Sequence, residues 1–166
     1  MFNGCSSLIS LDLSNFDTKN VANAREMFSG CESLKSINLN SFDTINMENM
    51  NRMFAGCKSL ASLDVTKFKT ENVTTMVSMF SSCSSLTSLD LSSFSNAKVS
   101  FAEDMFVHCP NLKFIDIRKF NGTESKFNKM FDGMESEVGI IVVNNFVSDI
   151  IKQLIPSNWN ITIIEL

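Results

Sequence analysis

Five cysteines, Cys5, Cys31, Cys57, Cys83 and Cys109, follow one another at a constant step of 26 residues. Thiolates bind zinc or exchange disulfides, and both chemistries need a close partner. A column of single cysteines offers one ligand per repeat instead of a C-x-x-C pair, so a zinc site would have to draw on several repeats at once. Neighbouring repeats could bring two cysteine Cα atoms within disulfide range. The column lies between phenylalanine and leucine columns, however, and its sixth slot is Met134. That setting suits reduced thiols packed as small hydrophobes. Other reactive patterns are thinner. His108 is the single histidine, there is no G-x-S-x-G elbow, and no glycine loop could cradle a phosphate. The serines recur with the repeat and belong to turns and strand faces. The sequence therefore predicts no catalytic residue, no metal ligand and no cofactor, and a protein that is not an enzyme.

The elements that position these residues follow from the same step. "MFNGCSSLISLDLSNFDT" opens the chain, and "MFSSCSSLTSLDLSSF" returns at Met79. Met-Phe pairs begin at Met1, Met27, Met53, Met79, Met105 and Met130, and leucine fills Leu8, Leu34, Leu60, Leu86 and Leu112. Further apolar columns run through Leu11, Ile37, Leu63, Leu89 and Ile115, and through Leu13, Leu39, Val65, Leu91 and Ile117. Phe16, Phe42, Phe68, Phe94 and Phe120 complete the register. Several columns in one register describe a solenoid, in which each unit buries its apolar side only by stacking on its neighbours.

Within a unit, Ser10 to Ser14 alternates apolar and polar residues, the period of a strand with one buried face. Val73, Met76, Met79 and Phe80 fall at i, i+3, i+6 and i+7, a helical stripe. Asn20, Asn46 and Asn72 stand where they could cap such helices, and Gly30 and Gly56 where the helices would end. The expectation is one short parallel strand plus one short helix per repeat. Leu11, Leu13, Leu63, Leu89 and the cysteine column are expected in the core, as are the Met-Phe and Phe16 to Phe120 columns.

The string L-x-x-L-x-L, the phenylalanine after it, an N-V step and M-x-x-M-F-x-G-C at a 26-residue period resemble the BspA-like leucine-rich repeat. This is a class of bacterial surface proteins and lipoproteins with relatives in parasitic protozoa. The similarity runs from Met1 to about Met134. It implies an α/β, right-handed leucine-rich-repeat-type solenoid at the cell surface or secreted, used for adhesion or protein binding. It carries no ligand site that could be transferred residue by residue.

The pattern changes at both ends. The first unit starts at its Met-Phe step, and its opening residues show no basic flank followed by an apolar run, so no signal peptide is expected within them. In the fifth unit "NGTESKF" replaces the N-V step and Phe127 takes the slot of Met76. After Met134 the text reads as a strand (140–143), a helix (146–154) stopped before Pro156, and a closing strand (161–164). The division is a solenoid over 1–134 and a C-terminal capping repeat over 135–166, in one continuous domain.

The 166-residue chain is 44% hydrophobic and 19% charged, with a net charge of −4. No basic run could neutralise a row of phosphates, so no nucleic acid is expected, and no apolar stretch approaches the ~20 residues of a membrane span. What remains is the outward strand face. Its middle column reads Asp12, Asn38, Asp64, Asp90 and Asp116, and in the fifth unit the serine-rich face changes to Phe114, Asp116 and Arg118. These residues are the candidate ligand-binding set. Phe114 is either an exposed anchor or a residue packed under the C-terminal cap against Trp159. The leading functional expectation is a non-catalytic protein-interaction or adhesion module, its partner a protein ligand or a host or cell-surface component. The alternative is a structural spacer or assembly unit, self-associating end to end through an uncapped N-terminal edge.

Overall fold

The computed structural model describes residues 1–134, 139–155 and 159–166. Three-residue strands recur at the repeat step as β1 (Ser10–Asp12), β2 (Ser36–Asn38), β3 (Ser88–Asp90) and β4 (Phe114–Asp116). The chain continues into β5 (Gly139–Val143), helix α1 (Asn145–Leu154) and β6 (Ile161–Glu165). All pairings between these strands are parallel, β1 with β2 and β3-β4-β5-β6 in chain order. Leu11 lies opposite Ile37 and Leu89 opposite Ile115, so the sequence period is the strand register. The molecule is a parallel-strand solenoid.

Strands form where alternation turns every second side chain into the stack. Leu13, Leu63 and Leu89 are buried as expected, whereas Leu11 is only half-buried because β1 has a neighbouring strand on one side. The third repeat departs from the expectation of one strand per unit. Ser62–Asp64 forms no ladder, and the sheet is split there between β2 and β3. With only three residues a rung has few ladder bonds to lose, and its turns hold it instead: Ser59 N–H donates to Glu32 C=O at 3.0 Å and Ser85 N–H to Lys58 C=O at 3.1 Å.

The helix expected in every repeat is absent. Among the described residues the only helices are α1 and a 3-10 turn over Glu124–Phe127. The segment from Ala24 to Cys31 is instead a ribbon of turns. Its N–H groups at Ala24, Glu26, Phe28 and Gly30 donate to carbonyls of the next repeat, and those at Met27, Ser29 and Cys31 donate three residues back. The inter-repeat bonds recur in the next three repeats at 2.7–3.1 Å, and the three-back bonds recur in full in two of them and at Val107 in the third. Every second amide points along the solenoid axis, which an α-helix forbids. Two left-handed residues per turn make this possible: Glu26, Arg52, Ser78, Asp104 and Lys129 in one slot, and Gly4, Gly30, Gly56, Ser82, His108 and Gly133 four residues later. Gly30 and Gly56 thus sit at left-handed positions (φ 72° and 74°), the conformation glycine favours, but they bend a ribbon and end no helix. With no helix to cap, Asn46 and Asn72 donate from Nδ2 to Lys19 C=O and Ile45 C=O of the preceding repeat, both at 2.8 Å.

The core is a set of columns along the axis. Phe2, Phe28, Phe54, Phe80, Phe106 and Phe131 stack with ring centroids 5.3–6.0 Å apart and planes within 20° of parallel. Offset stacking of this kind adds about 0.5–1.5 kcal/mol per pair beyond burial. A second spine runs Phe42–Phe68–Phe94, and Phe120 stacks on Phe127. Phe16, at the head of that column, is 40% exposed. Cys31, Cys57, Cys83 and Cys109 are buried and unpaired, and each Sγ–H donates to the carbonyl of a phenylalanine 29 residues earlier at 3.1–3.3 Å. Cys5 is exposed. Desolvation pushes the Cys57 thiol up to about 12 and the Cys109 thiol to about 11.

A buried polar column was hidden in the repeat. Thr18, Thr44 and Thr70 each donate from Oγ1 to a carbonyl of the next repeat and accept that same residue's N–H, for Thr70 the C=O and N–H of Ser95 at 2.9 and 2.8 Å. Asn96 takes the fourth slot and pairs both ways with the Asn121 backbone at 2.8 Å. These hydroxyls satisfy amides that no ladder reaches, so the column is buried without an unsatisfied group.

The C-terminal strands and helix lie within a residue of the sequence reading. Residues 135–138, where the solenoid is expected to give way to a cap, and Pro156, the expected helix stop, lie outside the described residues. Asn144 caps α1, its Oδ1 accepting from Phe146 and Val147 N–H. Starting the helix there turns Phe146, one period after Phe120, out of the spine to 88% exposure.

Candidate functional site

The outward strand face has the same small vocabulary in each repeat, and its aspartates have a local task. Asp12 Oδ1 accepts the Ser14 N–H at 3.0 Å, and Asp90 Oδ1 accepts the Ser92 N–H at 2.8 Å. Asp64 Oδ1 accepts both the N–H and the hydroxyl of Thr66, at 3.0 and 2.6 Å, and Asn38 Oδ1 accepts the Asn40 N–H at 3.1 Å. Each side chain closes the turn that leaves its strand, the usual behaviour of Asp and Asn two residues before a free amide. The Ser14 amide holds Asp12 below the ordinary carboxylate range, and the Thr66 hydroxyl, helped by its amide, does the same for Asp64.

The column is not uniform. Asn38 Nδ2 donates to Asp12 Oδ1 at 3.1 Å and so separates Asp12 from the carboxylates further along. Asp12, Asp64 and Asp90 are exposed and none lies in an ion pair. Asp116 differs: it is 2% exposed, and Arg118 grips it through Nε and Nη2 while the Arg118 N–H donates to Oδ1 at 3.1 Å. Arg118 itself remains exposed. Of the candidate set, the structure thus leaves Asp12, Asp64, Asp90 and Arg118 open, Asn38 and Phe114 half-covered, and Asp116 enclosed.

Phe114 marks where the face changes character. It lies opposite Ser88 on one side and Ile140 on the other. No ring contact joins it to Trp159 among the described residues. Ile140 is 37% exposed, and Ile164, opposite Val142, is 40% exposed. Over the last rungs one outward column thus passes from Ser88 to Phe114, Ile140 and Thr162, and the other from Asp90 to enclosed Asp116, buried Val142 and Ile164. Sequence reasoning stopped at Phe114 and missed Ile140, although it stands one full period later. Ile164 carried no such signal, because the last turn from β5 to β6 is shorter than the repeat.

Two clefts flank these features. One of about 50 Å³ opens at the split in the sheet, beside Asn38, Asn40, Asp64 and Lys67, and Lys67 Nζ crosses it to Asn40 Oδ1 at 3.1 Å. The other, about 190 Å³, lies on the turn ribbon between Arg25, Asn51, Arg52 and Val77. Neither approaches the ~300–1,000 Å³ of a small-molecule pocket. Among the described residues no three His, Cys, Asp or Glu side chains gather as a metal site requires, and no helix is long and apolar enough to cross a membrane.

No curated protein matches the chain. A crystal structure of a leucine-rich repeat protein from Bacteroides ovatus ATCC 8483 is similar to it, at 16% identity and a TM-score of 0.31, over 99% of this chain. The chain spans 62% of that protein's length. A family profile matches residues 1–63 and again residues 35–141, most of the solenoid. The chain belongs to the family described as "Mycoplasma protein of unknown function, DUF285".

Proposed function

We propose that this chain is a protein-interaction module of the leucine-rich-repeat type, without chemistry of its own, displayed outside the cell and used for adhesion. The observation that carries the reading is the strand face. On the other sides the ribbon amides, the threonines and the buried thiols are committed to bonds with neighbouring repeats. The outward strand columns point away from the stack and end in half-open Phe114 and Ile140, aromatic and aliphatic groups on a sheet of serines. Aromatic anchors ringed by small polar residues are the usual composition of a binding hot spot. Arg118 contributes less than its type suggests, because its guanidinium already serves the enclosed Asp116. The display outside the cell rests on the resemblance of the 26-residue repeat to bacterial surface proteins.

A photo-reactive side chain at Ser88, on the strand face, tests this against one at Ser100, on the ribbon. The Ser88 probe is expected to cross-link a protein ligand, and Phe114→Ser should weaken that capture while leaving the thermal midpoint within a few degrees. Capture through Ser100 alone would overturn the placement. A large fall in midpoint for Phe114→Ser would mean that the ring serves the fold.

A further inference from the structure

The strand face carries two chemistries side by side, and together they describe what it fits. Asp64 and Asp90 are exposed carboxylates on successive repeats, each with Oδ1 turned to its own backbone and no hydrogen bond to Oδ2 among the described residues. Among the described residues neither forms an ion pair, although the charge of Lys67 acts on Asp64 and Arg118 feels Asp90 from a distance. Lys67, beside Asp64, donates to Asn40, while Lys35 and Lys113 stand one residue before β2 and β4, outside the aspartate column. The next rungs turn apolar at Phe114, Ile140 and Ile164, the last two more than a third exposed. Asp116, which would have extended the negative column into this patch, is neutralised by Arg118. The face is therefore anionic over β3 and the rung before it, while over β4 to β6 it presents Phe114, Ile140 and Ile164 beside the exposed Thr162, with Asp116 paired to Arg118.

We infer that the strand face binds an extended protein segment of mixed cationic and apolar chemistry, a lysine or arginine lying over Asp64 and Asp90 and an apolar side chain over Phe114 and Ile140. This rests on the interaction reading above and names the partner's character. The spacing agrees. Rungs stacked at ~4.8 Å, with Asp90 two residues along the strand from the Phe114 column, put its carboxylate on the order of 8 Å from Phe114, and an extended chain places same-side residues ~6.6–7 Å apart. A cation and an apolar residue two positions apart reach both. Opposite charge at the rim would fix orientation and speed encounter, and the apolar contact would hold the complex. The lowered carboxyl range of Asp64, set by Thr66, keeps this edge anionic through mildly acidic conditions.

Three labelled peptides titrated into the full chain by fluorescence anisotropy form the test. One carries alternating lysines at one end and leucines at the other, the second has glutamate for each lysine, and the third has serine for each leucine. The first is expected to bind and both others to bind at least ~tenfold more weakly. The double variant Asp64→Asn, Asp90→Asn keeps its turn acceptors, so the fold should hold while affinity for the first peptide drops ~tenfold. Ile140→Ser should weaken the same peptide and leave the salt dependence of binding intact. Equal binding of the glutamate peptide, or an unchanged affinity in the double variant, overturns the inference. So does concentration-dependent dimerisation that the double variant abolishes, since a second copy would then be the occupant. If the Ser88 probe captures a ligand whose bound segment is acidic, the interaction reading stands and this assignment falls. If neither that probe nor any peptide engages the face, both fall.

Discussion

Along the turn ribbon every repeat gives four backbone amides to the next, with no interruption from Ala24 to Asp132. On the strand side of the same stack the ladder has three residues per rung from β1 to β4 and breaks outright between β2 and β3. The side chains differ in the same sense. Ribbon residues facing inward are fully buried phenylalanine, methionine and cysteine in nearly every repeat, while the outward strand columns pass from Ser and Asp to Phe and Ile. The ribbon and the columns beneath it hold the solenoid together. The strand face tolerates a missing rung and a change of chemistry because little of the stack's cohesion passes through it, and a surface released in this way can serve recognition.

The largest effect expected from attacking the cohesive side comes from alkali. Cys31, Cys57, Cys83 and Cys109 are all buried thiols whose ionisation burial opposes, with Cys57 pushed up to about 12 and Cys109 to about 11. A folded-state value raised above the unfolded thiol's ~8.5 means that the folded protein holds its proton more tightly. The stability this represents is fully present below about pH 8.5 and is lost as pH rises from there through the folded values. The thermal midpoint should therefore stay level to about pH 8.5 and fall steeply above it. Cys83→Ala, which starts from a lower midpoint because of the cavity it leaves, should show a shallower fall. Parallel slopes for the two proteins would mean that lysines and not the thiols drive the loss. At pH 8 in the native state, iodoacetamide should label Cys5 long before Cys57 or Cys83.

Much of this was legible beforehand, and the misses have a common cause. Met76, Met79, Phe80 and Cys83 are wholly buried at i, i+3, i+4 and i+7, as a helix would bury them. A chain of turns with left-handed residues four apart presents the same inward stripe, so hydrophobic period reports which side chains face in without reporting where the amides go. The warning lay in Gly4, Gly30 and Gly56, whose recurrence marks a left-handed position, but Ser82 and His108 fill that slot in later repeats and blur it. The threonine column was readable as a period and passed over, because an isolated threonine after a charged residue looks like surface. On the strand face Asp12, Asp64 and Asp90 are exposed, as an outward column requires, whereas Asp116 is not. Their turn-closing bonds were missed, and the enclosure of Asp116 could not be read from a column in which its counterparts Asp12, Asp64 and Asp90 are open.

A middle-sized effect should come from the ribbon's left-handed slot. Gly133 has φ 68°, and a methyl there would stand 2.3 Å from His108 Nδ1 of the preceding repeat. Gly133→Ala must both hold an L-residue in the left-handed region, at about 1–2 kcal/mol, and displace the His108 ring. At Gly30 the nearest atom would be Gly4 Cα at 3.4 Å, so Gly30→Ala carries the conformational term alone and should cost less. His108→Gly, by removing both the ring and a strained φ of 58°, should rescue part of the Gly133→Ala loss in a denaturant titration. Simple additivity of the two changes would show that the stacked slot does not couple the repeats.

The smallest effect should come from the strand face, and it is the one that decides whether the comparison holds. Asp90→Asn keeps an oxygen to accept the Ser92 amide, removes one of two adjacent exposed carboxylates, and touches no inter-repeat bond. Like charges on neighbouring rungs repel by roughly 1 kcal/mol at most in a water-like dielectric. The substitution should therefore change stability by less than ~0.5 kcal/mol and in the favourable direction if at all, an effect that added salt reduces. Asp116→Asn, one rung on, gives the contrast: it leaves the Arg118 guanidinium without its carboxylate over an enclosed site and should cost clearly more. Should Asp90→Asn prove as damaging as Gly133→Ala, the outward column would be holding the solenoid together after all, and the strand face would lose the freedom on which its use for recognition depends.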